Sequence, residues 1–438
     1  MKEKNVKEIA TKEKNTNEET TKEISSKKES VNNKSNQGNV LKGKKSAIIL
    51  LIVALIIIAV GVVIYKNVQT KNRIEKINKN KTTWKSEAIK SPEKGSLQPA
   101  GYITIDWKSA GNLDSVDKYE IYVDNKKQGQ VKGNVTTFEY YTTKVSKHDV
   151  YIKAYLKHGS EINSDIYSFY VNKKGFCMNK AMAEHVNADD WNVSWYYNWT
   201  LTKHNYISFQ KLQFVPMFWT SAPTDAEEVK VLPLRGYKYV LPYNEPDRPD
   251  QSDMSVDDAI EGMKSLLNKG LYVGTPATSV WPSASEEWFQ PFMKKMKENK
   301  MDTDFIVFHH YWNWHTKEGA QAFLDIVDEA WKMYHKPIWI TEFALSGVPA
   351  WTKQTRQSAI DYMNIVVPEL DKRDYVERYA WFSFEPENYQ NGGSSLLDSY
   401  TGKITDLGYT YQKLGIPKGY NEKNQVLHQK NSKKDIVK

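Results

Sequence analysis

Two glutamates in this chain sit where acetal chemistry becomes possible. Glu245 stands in Pro242-Tyr243-Asn244-Glu245-Pro246-Asp247, and Glu342 in Ile340-Thr341-Glu342-Phe343. Each closes a short apolar run of the kind that forms a buried strand. Two carboxylates facing each other across a sugar-sized cleft can cut a glycosidic bond. One donates a proton to the leaving oxygen; the other, when only about 5–5.5 Å away, attacks the anomeric carbon to give a covalent intermediate. Asn244 can bond the substrate 2-hydroxyl. Tyr311, in His309-His310-Tyr311-Trp312, can hold the attacking carboxylate ionised, while mutual repulsion weakens the acid. Trp199, Trp219 and Trp381, with His310 and Trp312, offer flat faces on which sugar rings stack.

Such residues need a scaffold that brings distant strand ends together. From residue 175 to 416, short apolar runs alternate with amphipathic segments, the rhythm of parallel βα units. Strands are expected to begin near Phe176, Val193, Leu212, Tyr237, Leu271, Asp304, Pro337 and Arg378. Val256–Lys269 and Ala320–Met333 carry apolar residues at helical spacing between them. Eight βα repeats over about 240 residues predict a (β/α)₈ TIM barrel, whose chemistry lies at the C-terminal strand ends. Glu245 then closes strand four and Glu342 strand seven. His309, His310 and His315 lack the matching carboxylate–histidine set of a metal site, so neither metal nor cofactor is expected. Glu385 and Glu387 read as loop carboxylates, and the single cysteine, Cys177, as a small core residue.

Upstream the pattern is different. Residues 96–173 alternate apolar and polar with many tyrosines, as in Tyr102–Trp107, Tyr119–Val123 and Val150–Tyr155, with Asp124–Lys127 as a hairpin tip. An early Trp107 and later Tyr pairs resemble a fibronectin type III-like β-sandwich. Residues 66–95 are polar and Lys-rich, a linker. Ala47–Ile64 is uncharged and apolar, and its 18 residues would span about 27 Å, close to a bilayer's hydrocarbon thickness. It predicts a single transmembrane helix over 46–65, ahead of which 1–45 reads as a disordered tail. Residues 417–438 form a polar C-terminal tail. Lysines flank the span on both sides and lean slightly against an outside C-terminus, but large domains translocate despite such charge.

The chain has 14 Trp and 27 Tyr, and 12 of those Trp lie between Trp191 and Trp381. That enrichment fits either sugar stacking or the bulk a large barrel needs. A net charge of +8 is modest, and no basic stripe interleaved with aromatics suggests nucleic acid. One cysteine excludes an intrachain disulfide and decides no compartment.

Asn-Glu-Pro at strand four and Thr-Glu-Phe at strand seven resemble the clan of retaining barrel hydrolases with paired glutamates. The longer runs Trp195–Trp199, Val215–Trp219, Asn244–Asp247, Pro337–Phe343 and Arg378–Phe382 are similar to one family within it, glycoside hydrolase family 128. That resemblance, over about residues 175–415, implies an enzyme acting on β-1,3-glucan with Glu245 as acid/base and Glu342 as nucleophile. Tyr243 stands where the family usually has Phe. Two functions are then expected: a retaining endo-hydrolase of an extracellular β-linked polysaccharide, or a non-catalytic, membrane-anchored carbohydrate-binding surface protein. Either puts the barrel outside the cell and the N-terminus in the cytoplasm.

Overall fold

The structure is a computed structural model, and it describes residues 60–66, 68–69, 84, 87–111, 115–220, 226–349 and 352–421. Two compact units are present, Met1–Lys81 and Thr82–Lys438. In the first, residues 60–66 are helical. Among the described residues no helix is long and apolar enough to cross a membrane. The expected span lies outside the described residues up to residue 59, as do the tail 1–45 and residues 422–438.

The second unit begins with a two-sheet β-sandwich. One sheet joins β1 (Ile89–Ser91), β3 (Gly101–Trp107) and β6 (Thr137–Thr142). The other runs β2 (Leu97–Pro99), β9 (Tyr167–Asn172), β7 (Ser146–Leu156), β4 (Val116–Val123), β5 (Lys126–Lys132), with β8 (Glu161–Asn163) on β7. Alternation does the work here: Gly101, Ile103, Ile105 and Trp107 are buried, and the residues between them half-buried. Trp107 and Tyr119 meet edge to face at 5.3 Å, and rings this size, fully buried, contribute on the order of 2 kcal/mol each. Asp124 and Asn125 both have positive φ (50° and 62°), the twist a two-residue hairpin requires. The linker expected over 66–95 is shorter than that, because Ile89–Ser91 pairs antiparallel with β3. Ala88-Ile89 are two apolar residues among polar ones, too brief a run to read as a strand.

The rest of this unit is a ring of parallel strands: β10 (Lys174–Cys177), β11 (Trp195–Tyr197), β12 with β13 (Gln213–Phe214, Met217–Phe218), β14 (Tyr239–Pro242), β15 (Tyr272–Val273), β16 (Ile306–Trp312), β17 (Ile338–Leu345) and β18 (Val376–Trp381). Pairing runs β12-β11-β10-β18-β17-β16 and β13-β14-β15, and the bridges Gly274–Phe305 and Thr278–Phe308 join β15 to β16. Helices fill the outer layer: α1 (Lys180–His185), α2 (Ala226–Leu234), α3 (Val256–Leu266), α4 (Phe289–Glu298), α5 (Lys317–Tyr334), α6 (Lys353–Lys372) and α7 (Asp406–Lys413). Ser255 caps α3 by accepting from Asp258 N, and Thr316 caps α5 by accepting from Gly319 N, which satisfies N–H groups the first turn leaves unpaired.

The sandwich closes the N-terminal end of the strands. Tyr102 N donates to Tyr239 Oη (2.8 Å), Tyr141 Oη to Glu377 Oε2 (2.9 Å) and Thr143 Oγ1 to Asp374 O (2.5 Å), while Tyr102 stacks on Tyr272 at 4.3 Å. Gly101, at φ 110°, allows this approach: a Cβ there would lie 2.4 Å from Glu377 Oε1 and Tyr239 Oη. Arg378, wholly buried, donates to Ala100 O and lies 4.1 Å over the Trp339 ring. With one end covered, the C-terminal strand ends are left for chemistry.

Candidate active site

At the end of β14 the chain turns sharply, and Tyr243 and Glu245 have positive φ (29° and 42°). Non-glycine residues adopt such angles at a cost of order 1–3 kcal/mol, which surrounding structure must impose. Here Asn244 N donates to Trp219 O and Glu245 N to Ala277 O, so the neighbouring strands hold the peptide. Asp247 then accepts from Ser279 N and Val280 N and from Ser279 Oγ, anchoring the loop. Glu245 is 4% exposed.

Glu342, in β17 and equally buried, is surrounded by donors. Its Oε1 accepts from Tyr197 Oη (2.6 Å) and Trp199 Nε1 (2.8 Å), and its Oε2 from Tyr311 Oη. Burial, reinforced by Glu342, raises both Tyr197 and Tyr311 well above the usual phenol range. Both phenols therefore keep their protons and act as donors. Three donors thus fix both carboxylate oxygens of Glu342.

His309 lies between the two carboxylates and is wholly buried. Nδ1 is 2.9 Å from Glu245 Oε1 and Nε2 3.5 Å from Glu342 Oε1. Burial alone would disfavour the imidazolium, but Glu342 and then Glu245 outweigh it and raise His309 above the ordinary histidine range. One ligand atom each from Glu245, His309 and Glu342 lie within 4.8 Å of one another, close enough to converge on a cation. The geometry fits acid–base work as well: one acceptor ringed by three donors, one carboxylate less constrained, and a histidine between.

The cleft over these groups encloses about 670 Å³ and is lined by Trp199, Trp219, Asn244, Tyr311 and both glutamates, all expected from sequence. Trp219 is 38% exposed, an open ring face at the cleft edge. Arg248, Gln251, Ser346, Phe382, Phe384, Gln390 and Asn391 also line it, and sequence reading missed them. His310, Trp312 and Trp381, expected to touch substrate, do not line it. Strand alternation is the reason. His309 and Tyr311 point into the ring, whereas His310 stacks on Phe323 of α5 (4.9 Å) and meets Trp312 at 4.9 Å. Trp381 packs on Phe343 at 5.2 Å and donates Nε1 to Ser394 O, while the next residue, Phe382, faces the cleft. Period two from Ala380 would have selected Phe382.

A family model described as glycosyl hydrolase catalytic core matches residues 175–411. The chain is 25% identical over 227 residues to Alkali-sensitive linkage protein 1 of Schizosaccharomyces pombe, covering 50% of this chain. It spans only 40% of that relative's length. Among solved structures, a GH128 (subgroup I) endo-beta-1,3-glucanase from Amycolatopsis mediterranei is 24% identical, with a TM-score of 0.48, over 56% of this chain and 100% of the other. A subgroup II endo-beta-1,3-glucanase from Sorangium cellulosum is 22% identical, TM-score 0.46, over 56% and 99%. A subgroup III curdlan-specific exo-beta-1,3-glucanase from Blastomyces gilchristii is 24% identical, TM-score 0.45, over 55% and 98%.

Proposed function

Because the chain belongs to the glycosyl hydrolase catalytic core family, we propose that it hydrolyses an extracellular β-1,3-glucan, or a related β-linked polymer, with retention of anomeric configuration. The linkage is what the family 128 motifs imply. Glu342 attacks the anomeric carbon; the bond to the leaving oxygen breaks as Glu245 gives that oxygen its proton. Water then attacks the glycosyl–Glu342 ester, losing a proton to Glu245 and restoring both groups. The observation that carries this is the carboxylate spacing. Oxygens of Glu245 and Glu342 approach within 4.8 Å, near the separation of about 5–5.5 Å between carboxyl groups in retaining enzymes and below the 6.5–9.5 Å that inversion needs for its water. Asn244 supports the assignment: Nδ2 is held by Gln251 at 3.0 Å, and Oδ1 is buried with no partner, an acceptor left for a sugar hydroxyl.

The cleft is read as acting within the polymer chain. The sandwich is read as a fibronectin type III-like spacer and Ala47–Ile64 as a membrane anchor, with the N-terminus cytoplasmic and the barrel outside, where such polymers lie. Protease added to intact cells should then remove the barrel; protection until lysis would overturn the orientation. The enzymatic reading is tested by following the anomeric proton during early hydrolysis of laminarin oligosaccharides. The β-anomer should appear first. Appearance of the α-anomer would refute retention, and binding without turnover would return the protein to a carbohydrate-binding role.

A further inference from the structure

The C-terminal ends of the strands carry a second aromatic surface, outside the cleft. Trp312 ends β16, Trp314 follows in the loop to α5, and Trp281 lies in the loop between β15 and α4. None of the three lines the cleft. Trp312 meets Trp281 at 6.1 Å and Trp314 at 6.2 Å. Trp314 is 47% exposed and Val280, beside Trp281, 39%, whereas Trp281 and Trp312 are half-buried. Apolar side chains exposed singly are ordinary, but rings in mutual contact at the surface mark a place of interaction. The strip is also firmly seated. Trp281 is edge-on to His310 at 5.3 Å, and the His310 ring lies 4.9 Å from Trp312. Trp314 backs onto Gly319 in the first turn of α5, where a Cβ would lie 2.9 Å from Trp314 Cγ. Rings fixed before a ligand arrives lose little freedom on binding it.

The strip adjoins the cleft. Ser346, which lines the cleft, donates its N–H to Trp312 O at 2.8 Å, and its carbonyl oxygen lies 2.7 Å from His315 Nε2. Tyr311, one residue before Trp312, donates to Glu342. Strand alternation thus sends one ring to the reacting carboxylate and the next to the outer surface. We infer that Trp281, Trp312 and Trp314 form a polymer-binding surface that holds a β-linked glucan chain where it leaves the cleft past Ser346. This rests on the reading of the cleft as a glucan-hydrolysing site. Indole faces suit the apolar C–H faces of pyranose rings. The three side chains carry no charge, which matches a neutral glucan rather than a charged partner. A surface beside the cleft does nothing for a short oligosaccharide held within it. It adds to affinity only when one chain is long enough to reach both, as linked sites do.

The test compares wild type, Trp314→Ala, Trp281→Ala and Trp314→Tyr on a short laminari-oligosaccharide and on polymeric laminarin. The migration of each protein is also followed in native gels cast with laminarin. One stacked ring is worth roughly 2- to 10-fold in affinity. KM for laminarin should rise by that factor in each alanine variant while kcat holds, and kcat/KM for the oligosaccharide should not move. Trp314→Tyr, which keeps a ring, should recover most of the loss. Laminarin in the gel should slow wild type more than either alanine variant. Equal KM for laminarin and equal slowing in wild type and both alanine variants overturn the strip and leave catalysis standing. An equal loss on both substrates also overturns it, by placing these rings in the cleft. A wild type that cleaves neither substrate overturns the enzymatic reading instead, and the gels then decide the strip by themselves. A dimeric wild type that becomes monomeric in Trp314→Ala, with slowing unchanged, assigns the strip to a second copy of the chain and overturns the glucan.

Discussion

Sequence places His310 on the substrate, whereas the structure puts it in the barrel wall, and the difference is measurable. It is 2% exposed, stacked on Phe323, edge-on to Trp281 at 5.3 Å, and its Nε2 has no hydrogen-bond partner. Burial without a partner lowers it from 6.5 to about 4. The unfolded chain therefore binds a proton on this residue at a pH where the folded one does not. A histidine with a depressed folded value stabilises the fold above its unfolded value and loses that contribution as pH falls toward the folded one. A gap of 2.5 between 6.5 and 4 corresponds to about 3 kcal/mol at 1.36 kcal/mol per unit. His310→Phe keeps a flat ring among Phe323, Trp281 and Trp312, loses no hydrogen bond at Nε2 and removes the proton site. Urea unfolding at steps from pH 7 to pH 4 should show wild type losing about 3 kcal/mol more than the variant across that range. His309, raised rather than lowered, is present in both proteins and cancels in the difference. Turnover at neutral pH should be retained. Equal pH slopes for the two proteins, or a collapse of activity in a folded His310→Phe, would refute the placement.

Three further outcomes follow from the same geometry. Tyr197→Phe and Tyr311→Phe each remove a hydrogen bond to the Glu342 carboxylate, an interaction of about 1.5–3 kcal/mol; kcat/KM should fall roughly 10- to 100-fold, with thermal stability little changed. Phe382→Ala should weaken oligosaccharide affinity at small cost in stability, whereas Trp381→Ala, emptying a site 1% exposed, should cost about 3–5 kcal/mol; the opposite pattern would mean the two side chains have been assigned to the wrong sides of the strand. Gly101→Val should lower the melting temperature strongly, since its branched side chain begins 2.4 Å from Glu377 and Tyr239; a fully stable variant would show that the sandwich does not press on the barrel as described.

What was legible in the sequence tracks how local its physical cause is. The expected strand starts fall within about two residues of those observed, because each buried strand is a contiguous apolar run. Helices Val256–Leu266 and Lys317–Tyr334 match the predicted segments, trimmed or extended by capping residues. Glu245 and Glu342 could be picked out because each closes such a run. Which neighbour faces the cleft follows only from the phase of each strand: Ala380 and Phe382 lie on the ring's inner side and Trp381 on its outer side, as do Tyr311 and His310 respectively. That phase becomes visible once one inward residue is known, not from aromatic character. Arg248 and Gln251 were hidden because their nearness to Glu245 comes from a folded loop, not a periodic element. Strand β1 was hidden for a similar reason, as Ile89 becomes meaningful only once β3 lies beside it.

The junction decides how this scaffold can move. Strand β9 ends at Asn172 and β10 begins at Lys174, so a single residue, Lys173, joins sandwich to barrel. That is no hinge. Lys173 Nζ donates to the carbonyls of Leu370, Asp371 and Arg373, at the end of α6. Lys174 Nζ donates to Tyr411, Gln412 and Leu414, at the end of α7. The last carbonyls of a helix have no partner within it and carry the negative end of its dipole, so an amine there serves both needs. Burial pulls the two lysines down to about 8 and about 7, and a sandwich that swung away would expose this region together with Arg378 and Glu377. Each would lose partners that a swing could not replace. Such an arrangement opposes interdomain motion, and Thr82–Lys438 forms one compact unit. The sandwich is held on the face opposite the carboxylates, and its position there cannot obstruct a polymer lying across the cleft.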